Sequence, residues 1–231
     1  MRLFTLSPRL SAAAAYLPSG AKLADIGCDH GRLPIYCAKN LALSRIIACD
    51  LRPVPLSHAR ENCALYEVED RIELRLGDGL APVSPEECTH ITILGMGGDT
   101  IAAILSRAPW TMKGEHTLIL QPESSAHKLR AFLYESGYRI LDERAVQDTN
   151  RVYTILCVRG GGEKSKASLL DEFASLSLRE KHDEDARRYL ARVYSALGAR
   201  MKGQAEGSEA YRALESARKE LEDEYGKSLA D

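Results

Sequence analysis

The sequence predicts an α/β protein: a Rossmann-like, doubly wound sheet of seven mostly parallel strands, followed by a C-terminal α-helical hairpin. Three observations predict it. Short apolar runs alternate with helix-period segments across the first five strands, two further strand-like runs follow each other with no helix between them, and past residue 162 the apolar spacing becomes purely helical.

Strands are expected near 22–26, 45–50, 71–76, 90–94, 116–121, 138–146 and 151–158, with helical patterns filling most gaps between the first five. Asp148-Thr149-Asn150 reads as the turn joining the last two, so one antiparallel hairpin closes a parallel sheet. Gly160-Gly161-Gly162, followed by Glu163-Lys164-Ser165-Lys166, breaks the periodicity and reads as a flexible joint. It divides the chain into a first domain over residues 1–160 and a helical domain over 163–231. In the latter, Leu169, Leu170, Phe173 and Leu176, then Tyr189, Leu190, Val193, Tyr194, Leu197 and Met201, recur at helical spacing. Gly203 to Ser208 interrupts the pattern, and Tyr211, Leu214, Ala217, Leu221 and Tyr225 resume it. A shorter helix followed by two long antiparallel ones buries these stripes against each other.

Residues 23–31, Leu-Ala-Asp-Ile-Gly-Cys-Asp-His-Gly, carry the most functional information, because an apolar strand runs there into an acidic glycine turn and then a helix. Gly27 and Gly31 flank Cys28, Asp29 and His30 and let the backbone approach a ligand closely. The Gly-x-x-x-Gly spacing is not the dinucleotide fingerprint, and no phosphate-loop Gly-Lys-Ser/Thr follows, which argues against a pyrophosphate ligand. Asp25 and Asp29 repel phosphate and suit a cationic ligand such as S-adenosylmethionine, which carries an ammonium and a sulfonium. Asp50 ends the second strand where a carboxylate can accept both ribose hydroxyls. Asp78, with Gly79 after it, ends the third strand, placed to meet an adenine edge. One strand-end acid is common in any α/β protein. Three in succession with the glycine turn read as a class I methyltransferase, ahead of another doubly wound fold.

The runs Ala24-Asp25-Ile26-Gly27-Cys28-Asp29-His30-Gly31-Arg32-Leu33-Pro34, Ile93-Leu94-Gly95-Met96-Gly97-Gly98 and Leu118-Ile119-Leu120-Gln121-Pro122, with Leu6-Ser7-Pro8-Arg9-Leu10 before them, resemble the bacterial tRNA adenine-22 N1-methyltransferase family in order and content. The resemblance covers residues 6–158, is most specific in the Gly-Met-Gly-Gly block, and thins beyond. It implies S-adenosylmethionine as cofactor, N1 of adenine 22 in tRNA as methyl acceptor, and tRNA as partner. It also places Arg9 over the cofactor, where a guanidinium can hold the methionine carboxylate; a surface arginine capping a helix is the alternative.

Methyl transfer moves positive charge from sulfur to the purine, and adenine N1 already offers an in-plane lone pair. Positioning is therefore the main requirement, with a carboxylate near the exocyclic amine to stabilise the developing charge. Asp29 is the candidate, its other role being to cap the following helix. His30 assists by a hydrogen bond or serves the turn structurally. Gly95 and Gly97 leave room for a base and Met96 offers a soft apolar surface for its face, unless the glycines only permit tight entry into the next helix. Gln121 addresses a base edge or satisfies loop carbonyls.

Composition frames these expectations. The 31 basic and 33 acidic side chains leave the chain near neutral, so a tRNA site has to be a local patch. Arg179, Lys181, Arg187, Arg188, Arg192, Arg200 and Lys202 offer such a face on the helical domain; with acids interleaved, a solvated mixed-charge face is the competing reading. The six cysteines form no Cys-x-x-Cys and read as buried reduced thiols, and no metal site is expected. Apolar runs fall short of a membrane span, and the Ala12 to Ala15 run lacks signal-peptide flanks. A soluble, cytoplasmic protein, monomeric by preference, is expected. The alternatives are a class I methyltransferase acting on another RNA or a small molecule, and a non-catalytic cofactor-binding protein that recruits a partner through its helices.

Overall fold

A computed structural model describes residues 5–225. Its strands are β1 (Lys22–Ile26), β2 (Arg45–Asp50), β3 (Glu73–Leu76), β4 (His90–Gly97), β5 (Thr117–Ser124), β6 (Arg139–Asp148) and β7 (Arg151–Arg159). They form one sheet in the order β3-β2-β1-β4-β5-β7-β6. The first five are parallel, and β7 runs antiparallel between β5 and β6. This is the seven-stranded, mostly parallel sheet that the strand pattern predicts.

Helices α1 (Pro8–Ala14), α2 (Arg32–Asn40), α3 (Pro53–Leu65), α4 (Gly98–Ser106) and α5 (Ala126–Ser136) cover its faces, while β3 joins β4 through turns and one short 3-10 helix, Pro85–Glu87. Period-2 side-chain alternation assigns the strands to two cores. Leu23, Ile46 and Ala48 pack with α1, α2 and α3; Ala24, Ile26, Ile47, Ile91 and Ile93 pack with α4 and α5. Each fully buried Leu or Ile contributes about 1.5–3 kcal/mol. All six cysteines are buried free thiols. Among the described residues, no helix is long and apolar enough to cross a membrane.

Past the sheet come α6 (Leu169–Phe173), α7 (Leu176–Arg179), α8 (Glu184–Met201) and α9 (Glu209–Tyr225). Two short helices thus precede the long pair where one was expected. Ser168, Ser175 and Asp183 each accept a backbone N–H in the first turn that follows, which starts three separate helices. Leu190, Val193 and Leu197 meet Leu214, Ala217 and Leu221, and Ala145 of β6 joins that core, so the helices pack on the sheet edge.

The glycine run differs from the expected flexible joint. Gly161 N–H donates to the Met112 carbonyl at 2.8 Å and Gly162 N–H to the Gly137 carbonyl at 2.9 Å. A Cβ on Gly160 would lie 2.4 Å from the Met112 backbone. Glycine serves close backbone packing there, not mobility.

Candidate active site

At the C-terminal ends of the parallel strands a cleft of about 1120 Å³ opens. It lies where β1 is flanked by β2 and β4, the point at which strand order reverses and α/β sheets hold ligands. Arg9, Asp25, Gly27, Cys28, Asp29, His30, Asp50, Asp78, Gly79, Gly95 and Met96 line it. Gly31 and Gly97 do not: Gly31 precedes α2 and faces Ala59, and Gly97 precedes α4 beside Ser124.

The glycine turn and the Gly-Met-Gly block meet each other. Gly27 has φ +75°, and a Cβ there would sit 2.2 Å from the Met96 methyl group, so the absent side chain is what admits Met96. Strand β4 bulges between Leu94 and Met96, which turns Met96 inward. Gln121 holds the bulge: its Oε1 accepts from Gly95 N–H at 3.0 Å and its Nε2 donates to the Pro122 carbonyl at 3.0 Å. Of the two roles open to Gln121, the structure uses the one that satisfies the loop.

The carboxylates occupy unlike environments. Asp25 is buried and accepts the Thr92 hydroxyl at 2.6 Å. Desolvation pushes its pKa up to about 7; the Thr92 bond opposes this and the Asp50 charge adds to it. Asp50, also buried, accepts Asp29 N–H at 3.1 Å on one oxygen and Arg52 N–H at 2.9 Å on the other. Asp29 is exposed with φ +50°, and no side chain caps α2, so the capping role is not the one it plays. Asp78, half-exposed, pairs with Arg107 at 3.0 Å. Burial pushes the Cys28 thiol well above its ordinary range, so it stays protonated and unreactive at neutral pH.

Asp25 makes the stability of the ligand-free protein pH-dependent. The folded carboxyl keeps its proton to about pH 7, whereas the unfolded one loses it near 4. Its contribution is therefore fully present below the unfolded pKa and is lost as pH rises through 7. Asp25→Asn keeps an acceptor for Thr92 and removes the titration. Its melting temperature relative to wild type is expected to rise by roughly 5 °C between pH 5 and pH 8; an unchanged difference in thermal melts across that range refutes the assignment.

Arg9 is more engaged than expected. Its guanidinium pairs with Glu123, reaches Asp148 at 3.4 Å and Gln121 at 3.2 Å, and lies 5.3 Å from the centre of the Tyr153 ring. It ties α1 to β5 and to the β6–β7 turn, with carboxylates already on its donors. Sequence reasoning missed Thr92, Arg107, Glu123, Asp148 and Tyr153. Thr92 carried a usable signal, as the one hydroxyl within the apolar run Ile91 to Leu94. The others come from elements far apart in sequence.

The methyltransferase domain family matches residues 6–156. The tRNA (adenine(22)-N(1))-methyltransferase of Bacillus subtilis (strain 168) is 37% identical over 161 residues, which are 70% of this chain and 68% of the relative. The crystal structure of the B. subtilis m1A22 tRNA methyltransferase TrmK superposes with a TM-score of 0.79 at 28% identity, covering 99% of this chain and 100% of that one. Streptococcus pneumoniae Sp1610, solved in complex with S-adenosyl-L-methionine, gives 0.80 at 27% identity over 95% of this chain and 99% of its own. With the sequence match covering more than two thirds of the relative and the structural match covering both chains almost entirely, the chain belongs to the tRNA (adenine(22)-N(1))-methyltransferase family.

Proposed function

We propose that the protein transfers a methyl group from S-adenosylmethionine to N1 of adenine 22 in tRNA. The observation that carries the reading is the cleft itself, with Asp25 and Asp50 at its floor and an open glycine loop at the side where a base enters. The residues fit the cofactor. Each oxygen of Asp50 holds one backbone N–H and keeps a lone pair for a ribose hydroxyl. Asp25, buried beside it, gains ionic character when a cation lies above it. Asp78 stands at the far end for the adenine edge. When bound, the cofactor supplies a methyl group activated by its sulfonium.

This chain's residues then position the acceptor. Met96, held inward by the bulge, packs on the face of the base. The Gly95 backbone offers no side-chain acceptor for an exocyclic amine, which suits attack by the ring nitrogen. Asp29, exposed at the cleft, accepts from the exocyclic amine and stabilises the charge that builds on the purine. His30 adds a hydrogen bond beside it.

The target adenine must leave its stack at a cost of a few kcal/mol, which contacts elsewhere on the tRNA offset. The helical unit supplies them in this reading, with a narrower face than the seven cations first considered. Arg179 is buried on Asp171, Glu220 and Glu224, and Lys181 pairs with Asp142 at 2.7 Å. Arg187, Arg188, Arg192, Arg200 and Lys202 are the exposed members. The reading is of a monomer acting in the cytoplasm.

The test is incubation with labelled S-adenosylmethionine and unmodified tRNA, then digestion and mass spectrometry of the nucleosides. N1-methyladenosine at position 22 is the expected product, and Asp29→Ala is expected to lower the single-turnover rate about 100-fold with cofactor affinity little changed. Cofactor binding without any RNA methylation moves the assignment to another acceptor or to a binding role.

A further inference from the structure

An exposed turn forms part of the mouth of the cleft. The side chains of Asp29 and His30 are 60% and 51% exposed, and Asp29 sits at φ +50°, a left-handed conformation that a non-glycine residue keeps only when its surroundings fix it. Hydrogen bonds hold the base of the turn: Cys28 N–H donates to the Cys49 carbonyl at 2.9 Å, Gly31 N–H to the Cys28 carbonyl at 2.8 Å, and Asp29 N–H to Asp50 Oδ2 at 3.1 Å.

Two further restraints come from α3. Asn62 Nδ2 donates to the His30 carbonyl at 3.0 Å. The His58 ring stacks on the His30 ring with centroids 5.2 Å apart and planes inclined by 28°. His58 and Asn62 are four residues apart, so they share one face of the helix. The opposite face is anchored, because Leu56, Ala59 and Cys63 are buried in the core. Neither His58 nor Asn62 lines the cleft. Glu61 Oε2 lies 3.6 Å from His58 Nδ1 on the side of the helix.

We infer that His58 and Asn62 are positioning residues for methyl transfer, clamping the Asp29-His30 turn from a rigid helix so that both groups meet the incoming adenine in one geometry. The inference rests on the roles given to Asp29 and His30 above. Its physical basis is that a displacement of about 1 Å at reacting groups costs up to roughly 100-fold in rate: backbone N–H bonds close the base of the turn, while the His30 carbonyl and ring at its exposed tip are fixed from α3.

The test uses the full chain with unmodified tRNA and saturating S-adenosylmethionine. Asn62→Ala and His58→Ala are each expected to lower the single-turnover rate about tenfold, with KM for tRNA and cofactor affinity within about twofold of wild type. Melting temperatures should move by no more than about 2 °C, since both side chains lie at the surface. His58→Phe keeps a ring for stacking and is expected to restore most of the rate. In a His30→Ala background, His58→Ala should cost nothing more, because the ring it acts through is gone.

Wild-type rates in Asn62→Ala and His58→Ala, alongside impaired Asp29→Ala and His30→Ala, overturn the clamp and leave the roles of Asp29 and His30 standing. Losses that follow melting temperature alone overturn it as well. Wild-type rates in Asp29→Ala and His30→Ala remove those roles and the clamp together.

Discussion

Asp50→Ala is expected to weaken S-adenosylmethionine binding by two orders of magnitude or more. A hydrogen bond to a charged acceptor contributes about 1.5–3 kcal/mol, and two ribose hydroxyls on one carboxylate make roughly 100-fold the lower bound at 1.4 kcal/mol per factor of ten. The same oxygens hold the backbone of Asp29 at 3.1 Å and of Arg52 at 2.9 Å. Alanine therefore also releases the turn that carries Asp29. Asp50→Asn separates the two effects: its carbonyl oxygen can still take Asp29 N–H, while the charge and one acceptor are lost. It should bind the cofactor weakly yet approach the wild-type single-turnover rate at saturation. Calorimetric titration of both variants decides the matter, and an Asp50→Ala dissociation constant within about threefold of wild type excludes ribose recognition by this residue.

The parts of the fold that depend on local pattern were legible. The first two strands end where the apolar runs end, at Ile26 and Asp50, because burial on both faces demands continuous apolar residues. Strand β4 runs on to Gly97, past the expected Leu94, because the Gln121 amide captures Gly95 N–H and extends pairing through a bulge. That partner lies 26 positions away, and no local pattern announces it. Gly160 to Gly162 failed for a related reason: three glycines look the same whether they are free or pressed against Met112 and Gly137.

The site was legible in its identities more than in its electrostatics. Asp25, Asp50 and Asp78 at or just past strand ends, and Asp29 in the turn after β1, all line one cleft. Their unlike settings follow from groups brought in by the sheet: Thr92 on the neighbouring strand for Asp25, Arg107 of the segment after α4 for Asp78. Arg9 shows the same limit. A family-like position made it a partner for a carboxylate, and the fold supplies two carboxylates of its own, Glu123 and Asp148.

Glu143→Ala is expected to have the largest effect on stability, about 3–5 kcal/mol. Arg130 of α5 and Glu143 of β6 have no exposed side-chain surface, and their charges meet at 2.5 Å. Around them Arg130 also donates to the Glu172 carbonyl at 3.0 Å and the Tyr189 hydroxyl at 3.0 Å, while Glu143 N–H donates to Ser177 Oγ at 3.1 Å. The pair is thus where α5 and the sheet edge join α6, α7 and α8. Removing the carboxylate leaves a buried guanidinium with only neutral acceptors, and the expected cost is a large share of a typical 5–15 kcal/mol stability. The melting temperature should fall by roughly 10 °C. Replacing both partners at once, Arg130→Met with Glu143→Leu, removes the stranded charge and should recover most of that loss. A double variant as unstable as Glu143→Ala would instead assign the cost to the lost polar links with Glu172, Tyr189 and Ser175, whose N–H donates to Glu143 Oε2 at 3.4 Å. A single variant melting within about 2 °C of wild type would mean that water or a local shift reaches Arg130, and that the helices are held to the sheet by their apolar contacts alone.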